Sequence, residues 1–121
     1  MFSVKVTQHF DAAHKLRDYI GKCARLHGHT FSYTVELRAP DLDPLGMLVD
    51  FIDVKSACEK KVNSILDHEY LNEKFPFEEI NPTAENLAKY MYGRLKAQLP
   101  QLYKVTVEET PGNSASYWEE N

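Results

Sequence analysis

The sequence has little cysteine, no long apolar run and no surplus of positive charge. With only two cysteines among 121 residues, a disulfide framework is not expected, and we predict a reducing, cytoplasmic environment. The apolar runs are far shorter than the roughly 20 residues that span a bilayer, and the N-terminus lacks the pattern of a signal peptide. The net charge is −4 and the pI is near 5.7, which disfavours binding to a phosphate backbone. We therefore expect neither a membrane protein nor a nucleic-acid-binding protein.

Length and composition favour one folded domain over residues 1–121. The mass is 14.0 kDa, and the hydrophobic and charged fractions of 43% and 26% are ordinary for a globular protein. No repeat, low-complexity tract or Gly/Ser linker divides the chain.

Hydrophobic periodicity predicts four strands and two helices. Apolar and polar residues alternate in four segments: 2–14, 27–39, 103–110 and 114–119. An apolar stripe at helical spacing runs from Asp53 to Leu66, and a second follows Thr83, a suitable N-cap, before Pro100. The order ββααββ predicts an α+β fold, in which an antiparallel sheet carries both helices on one face.

Three histidines fall on the apolar face of the first two strands. His14 ends the first strand, and His27 and His29 begin the second, so an antiparallel hairpin would bring the three imidazoles together. Three histidines can bind zinc and leave a fourth coordination position open for catalysis. The alternative is that each is a core histidine with its nitrogens satisfied by hydrogen bonds. His9 lies on the polar face and is expected to be solvated.

Other candidate residues keep more than one interpretation from the residues alone. Cys23, four residues before His27, could be a fourth ligand, a catalytic thiolate or an inert loop residue, whereas Cys58 lies on a helical apolar stripe and suits the core. Asp67 and His68 could form a proton relay or an ordinary helix exit. Glu109 points where apolar residues are expected, and it could serve a ligand or pair with an arginine.

Two loop cations could meet an anionic substrate. They are Arg17 and Lys22, and a solvated loop charge is the simpler interpretation of each.

These residues occur within segments that resemble the 6-pyruvoyltetrahydropterin synthase / 6-carboxytetrahydropterin synthase family. The segments are FDAAH (10–14), CARLHGH (23–29), VDF (49–51), LDHEYLN (66–72), NPTAENLA (81–88) and VEET (107–110). The most specific is Cys-x-x-x-His-Gly-His, and the similarity extends over roughly residues 2–119.

The resemblance implies the T-fold, a four-stranded antiparallel sheet with two helices on one side. It also implies that three such sheets join into a barrel, that two trimers stack into a hexamer, and that active sites lie between subunits. On this resemblance, catalytic zinc would bind His14, His27 and His29.

The resemblance also implies roles for the remaining candidates. Cys23 would be the general base, and Asp67 and His68 would come from a neighbouring subunit. Glu109 would anchor the pterin, with Thr110 beside it. A cysteine rather than a glutamate in the motif argues against a subgroup that performs other pterin chemistry.

The short chain and the sequence GKCARLHGH (21–29) most resemble the bacterial 6-carboxytetrahydropterin synthases of the queuosine pathway. The implied reaction converts 7,8-dihydroneopterin triphosphate to 6-carboxy-5,6,7,8-tetrahydropterin, acetaldehyde and triphosphate. Two alternatives remain: 6-pyruvoyltetrahydropterin synthesis from the same substrate, and a non-catalytic zinc- or ligand-binding module. The C-terminal sequence PGNSASYWEEN, with Trp118, differs from the family's sequence pattern and could alter the rim of the pocket.

Overall fold

The computed structural model describes residues 1–120 and has a five-stranded sheet packed against two helices. The strands are β1 (Phe2–His14), β2 (His27–Ala39), β3 (Glu69–Tyr70), β4 (Leu102–Thr110) and β5 (Asn113–Trp118). Their spatial order is β3-β1-β2-β4-β5. The four longer strands are antiparallel neighbours, which confirms the α+β prediction.

The short strand β3 is the difference from the predicted four-stranded sheet. It pairs in parallel with Ala12 and Ala13 at the outer edge of β1. Two residues are too few to show alternation, so this segment falls within the region that the sequence predicts as irregular. The strand matters to the site because Asp67 and His68 immediately precede it.

The first helix, α1 (residues 51–66), has three consecutive parts: α-helical Phe51–Cys58, π-helical Glu59–Asn63 and α-helical Ser64–Leu66. It begins two residues before the predicted start at Asp53, because the Asp50 side chain accepts the backbone N–H of Ile52 and caps it.

The second helix, α2 (Ala84–Leu95), begins after the predicted N-cap. The Thr83 hydroxyl accepts the backbone N–H of Asn86 at 3.1 Å. None of the helices within residues 1–120 has the length and apolar character that a bilayer crossing requires.

The hydrophobic core lies between the helices and one face of the sheet. Phe31 and Val105 from the sheet pack with Val54 of α1 and Leu87 of α2, and all four side chains are inaccessible to solvent. Burying such side chains contributes about 1.5–3 kcal/mol each. Because residues of even number on β1 face this core, the same alternation directs His14 inward at the end of the strand.

Candidate metal centre and active site

The β1–β2 register brings three histidines together. His14 pairs with His27, and Ala12 pairs with His29, so the three side chains emerge on the same face at one end of the hairpin. Their ring centroids are 4.5 Å apart for His14 and His27, 5.3 Å for His14 and His29, and 4.8 Å for His27 and His29. The predicted convergence is confirmed.

Backbone carbonyls determine which nitrogen of two rings carries the proton. His14 Nδ1 lies 2.8 Å from the Pro82 carbonyl oxygen, and His27 Nδ1 lies 2.6 Å from that of Arg25. A carbonyl only accepts hydrogen bonds, so each Nδ1–H donates. The lone pair of each neutral ring is therefore on Nε2, the nitrogen that faces the centre of the cluster.

Glu109 completes this cluster. Its Oε1 lies 2.9 Å from His14 Nε2, 3.0 Å from His29 Nε2 and 3.9 Å from His27 Nε2. Despite the short distances, within residues 1–120 neither His14 Nε2 nor His29 Nε2 has a hydrogen-bond partner of acceptable angle. A lone pair on His14 Nε2 facing a carboxylate oxygen is repulsive unless a cation lies near them. The three imidazole Nε2 atoms, with the carboxylate beside them, therefore fit a divalent metal ion.

Burial favours the neutral form of the most enclosed ligand. The His14 side chain is 1% exposed, and desolvation lowers the pKa of its imidazole below the usual range. The Pro82 carbonyl and the Glu109 carboxylate raise this pKa, but the desolvation effect is larger. A neutral imidazole at neutral pH is the form that binds a metal ion.

Cys23 lies close to this end of the sheet but outside the cluster. It is half-buried in a 3₁₀ turn (Lys22–Ala24), and its carbonyl accepts the backbone N–H of Leu16. Among the described residues, it is not in the group whose ligand atoms all lie within 4.8 Å of one another. Its thiol is free, as is that of Cys58.

Asp67 and His68 form a pair at the β1 edge. His68 Nδ1 lies 3.0 Å from Asp67 Oδ1, and the backbone N–H of Asp11 donates to the same Asp67 oxygen at 2.9 Å. The Asp11 N–H is the main reason that the pKa of the Asp67 carboxyl is lowered, with His68 adding to the effect. The His68 side chain is 78% exposed, and its backbone has φ 60°. The exposure shows that the ring is directed outward rather than into the core.

This pair is not assembled with the three histidines. Asp11 and His14 are three residues apart on β1, so their side chains point to opposite faces of the sheet. Asp67 and His68 group with Asp11 rather than with the imidazole cluster. The lining of one open cleft of about 600 Å³ nevertheless includes both His29 and His68.

Three further residues that the sequence pointed to differ in their exposure and contacts: Thr110, Trp118 and Cys58. Thr110 follows Glu109 at the end of β4, where its hydroxyl accepts from Asn113 Nδ2. Trp118 lies on β5 and is 41% exposed, with the Lys104 ammonium 4.7 Å from its ring centroid. Cys58 is fully buried, as predicted, and burial raises the pKa of its thiol to about 11.

The interpretation of Arg17 as a solvated loop charge is wrong. Its guanidinium donates to the carbonyls of Phe77 and Ile80, both at 2.7 Å, so this half-buried side chain is bonded to a distant segment rather than freely solvated. Lys22 and His9 are exposed, as predicted.

Two residues that the sequence did not single out contribute to the site. The Pro82 carbonyl binds a histidine 68 positions away, a contact that no local pattern indicates. Asp11 joins the Asp67–His68 pair; it lies within the segment FDAAH, but its place on the polar face of β1 did not separate it from ordinary solvated residues.

The sequence pattern of one protein family matches this chain over residues 3–120 and is described as 6-pyruvoyl tetrahydropterin synthase. The chain belongs to this family. The family assignment from the sequence motifs is thereby confirmed.

The relatives of this chain in the pterin synthase family are of two kinds, named for two different activities. The 6-carboxy-5,6,7,8-tetrahydropterin synthase of Synechocystis sp. is 38% identical, over 90% of this chain and 87% of that protein. The 6-pyruvoyl tetrahydrobiopterin synthase of Drosophila melanogaster is 35% identical, over 89% of this chain and 74% of that protein. The solved structure of Caenorhabditis elegans 6-pyruvoyl tetrahydropterin synthase superposes with a TM-score of 0.87 at 32% identity, covering 98% and 96% of the two chains.

Proposed function

We propose that the chain is a zinc-dependent lyase that acts on 7,8-dihydroneopterin triphosphate. The products are 6-carboxy-5,6,7,8-tetrahydropterin, acetaldehyde and triphosphate, formed with uptake of water in the cytoplasmic synthesis of 7-deazaguanine (queuosine). The observation that carries the proposal is the cluster of three imidazoles with unpartnered Nε2 atoms beside Glu109. The 38% identity to a protein named 6-carboxy-5,6,7,8-tetrahydropterin synthase supplies the substrate class.

His14, His27 and His29 would hold the zinc ion. When bound, zinc acts as a Lewis acid that stabilises negative charge on the oxygens of the substrate side chain. The carbonyls that accept from His14 Nδ1 and His27 Nδ1 keep both rings oriented with Nε2 toward the ion.

Glu109 would bind the pterin ring. Its carboxylate can accept two N–H bonds from the amino-pyrimidinone edge, which fixes the ring's orientation, and Thr110 lies beside it. Because Glu109 Oε1 lies within 3.9 Å of all three Nε2 atoms, a pterin held by this carboxylate would lie beside the metal ligands. Part of the rate enhancement would then come from positioning.

Cys23 and the Asp67–His68 pair would move protons. A thiolate at Cys23, in the turn beside the cluster, would remove a proton from the substrate side chain. Asp67 holds the His68 ring at 3.0 Å, which suits a relay that receives or returns this proton. Since the pair groups with Asp11 on the other face of the sheet, we propose that it serves the site of a neighbouring subunit.

We propose a homo-oligomer, with a hexamer as the expected form. Within residues 1–120, β1 has a partner on its outer edge only at Ala12 and Ala13, and β5 is the terminal strand on the other side. Open strand edges favour pairing with another chain. Joining such edges between copies would close the barrel and bring residues of two subunits together.

The product of the reaction separates the proposed function from its alternatives. Purified zinc-loaded protein is incubated with dihydroneopterin triphosphate, and the pterin product is identified by its mass. A 6-carboxy product with acetaldehyde supports the proposal. A 6-pyruvoyl product supports the activity named for the Drosophila relative. If no product forms and removal of zinc unfolds the chain, zinc has only a structural role.

A further inference from the structure

The segment from Asn81 to Asn86 contacts the metal centre without supplying a ligand. The Pro82 carbonyl accepts the Nδ1–H of His14 at 2.8 Å, in a buried position. His27 makes the equivalent bond to Arg25, only two residues away. His14 therefore depends on a tertiary contact for its orientation, whereas His27 is oriented by its own loop.

Side-chain amides hold this segment on both sides of Pro82. Asn86 Nδ2 donates to the Asn81 carbonyl at 2.8 Å. The Asn81 amide in turn makes two bonds to the backbone of Arg17: it accepts the N–H at 2.8 Å and donates to the carbonyl at 3.0 Å. The segment is thus fastened to the first turn of α2 and to the chain that follows His14 on β1.

The restricted backbone of proline and these hydrogen bonds together fix the direction of the Pro82 carbonyl. The Asn86 amide fixes the carbonyl of the Asn81–Pro82 peptide, and the ring of Pro82 fixes φ at about −65°. The next residue, Thr83, is held as the N-cap of α2. Little freedom remains for the Pro82 carbonyl, so its direction toward His14 Nδ1 is set by the residues around it.

We propose that Asn86 and Asn81 are positioning residues for metal binding. They hold the Pro82 carbonyl, which keeps His14 in the Nδ1–H tautomer with the Nε2 lone pair directed to the ion. This inference rests on the zinc site of the proposed function. It assigns a role to the NPTAEN motif that goes beyond starting a helix.

The test compares two asparagines that each donate one 2.8 Å bond from Nδ2 to a backbone carbonyl. Asn86 donates to Asn81, and Asn63 donates to His9 on β1, five residues from His14. The variants are Asn86→Ala, Asn86→Asp and, as the matched control, Asn63→Ala. Zinc dissociation constants are measured on the assembled protein by competition with a chromophoric chelator. The absorption spectrum of the cobalt(II) form reports ligand geometry.

We expect Asn86→Ala to raise the zinc dissociation constant about 10–100-fold, the usual effect of removing a group that orients a ligand. Asn86→Asp should behave in the same way, since an ionised carboxylate cannot donate to the Asn81 carbonyl. Both should alter the cobalt spectrum, while Asn63→Ala should change neither measurement even where it lowers the melting temperature.

A double-mutant cycle with His14→Ala tests whether Asn86 acts through this ligand. In the His14→Ala background, Asn86→Ala should have no further effect on the zinc dissociation constant. The inference is overturned if Asn86→Ala binds zinc as tightly as the unaltered protein, if Asn63→Ala weakens binding equally, or if the two effects are additive. If His14→Ala does not fold or binds no measurable zinc, the comparison with Asn63→Ala decides the question alone. Failure of the unaltered protein to bind zinc would overturn the zinc site itself.

Discussion

Replacing Cys23 by alanine distinguishes a general base from a fourth metal ligand. The distances between possible ligand atoms in the structure argue against a metal ligand at Cys23. A zinc–sulfur bond of about 2.3 Å and a zinc–nitrogen bond of about 2.1 Å place two ligand atoms of one ion no more than about 4.4 Å apart. Within residues 1–120, Cys23 does not belong to the group of ligand atoms that lie within 4.8 Å of one another, whereas all three histidines and Glu109 do.

We therefore expect Cys23→Ala to keep its zinc and its oligomeric state but to lose turnover. A positioned general base contributes about 10²–10⁴-fold, so the activation barrier should rise by roughly 2.7 kcal/mol or more. The assay combines zinc content per chain, oligomer mass by light scattering and steady-state kinetics with dihydroneopterin triphosphate.

The matched control removes the other thiol. Cys58 is fully buried in the core, away from the cluster, so Cys58→Ala should lower stability while turnover of the folded protein is retained. If Cys23→Ala loses zinc together with activity, the thiolate is a ligand, and the open coordination site proposed above is wrong. Full activity in Cys23→Ala would equally refute its role as the base.

Four further predictions test other parts of the site. His27→Ala and His29→Ala should each lose bound zinc by metal analysis, and full occupancy in both would remove the basis of the metal site. Glu109→Gln should raise KM and lower kcat while zinc is retained, since an amide replaces a charged acceptor of the pterin N–H groups; weaker zinc binding in this variant would instead make the carboxylate a ligand. The pKa of Asp67 is lower in the folded protein than in the unfolded chain, so its contribution to stability is present above the unfolded pKa of about 3.9 and is lost as the pH falls through the folded value. Asp67→Asn should therefore lessen the acid-induced loss of stability in a denaturation series from pH 6 to pH 2, and an unchanged pH profile would contradict the argument. Light scattering at micromolar concentration should give six times the chain mass of 14.0 kDa, and a 14.0 kDa species alone would count against the assembly.

The elements that could be predicted well are those whose periodic pattern of apolar residues extends over many residues. The alternation in residues 2–14 and 27–39 predicts both strands at the bounds observed for β1 and β2. The start of α2 was also predictable, because Thr83 is a capping residue directly before a helical apolar stripe. In contrast, β3 and the π-helical part of α1 are too short to leave a periodic signal.

The convergence of the histidines could likewise be predicted, because it needs only alternation and one antiparallel pairing. Side-chain parity places His14, His27 and His29 on one face, and a hairpin brings the ends of its strands together. Glu109 could be placed on an inward face of β4, but not beside the imidazoles. Its distance to them depends on β4 lying next to β2, a pairing between segments some 70 residues apart in the chain.

The sequence by itself determined the order of the elements, the inward face of each strand and the residue types able to bind a metal ion. These follow from local periodicity and side-chain chemistry, which act over a few residues. Only the tertiary structure decided that Pro82 fixes the tautomer of His14, that Arg17 is bonded to distant carbonyls, and that Asp67 and His68 group with Asp11. Each of these is a contact between segments more than 50 residues apart, and such contacts exist only once the core has packed the helices against the sheet.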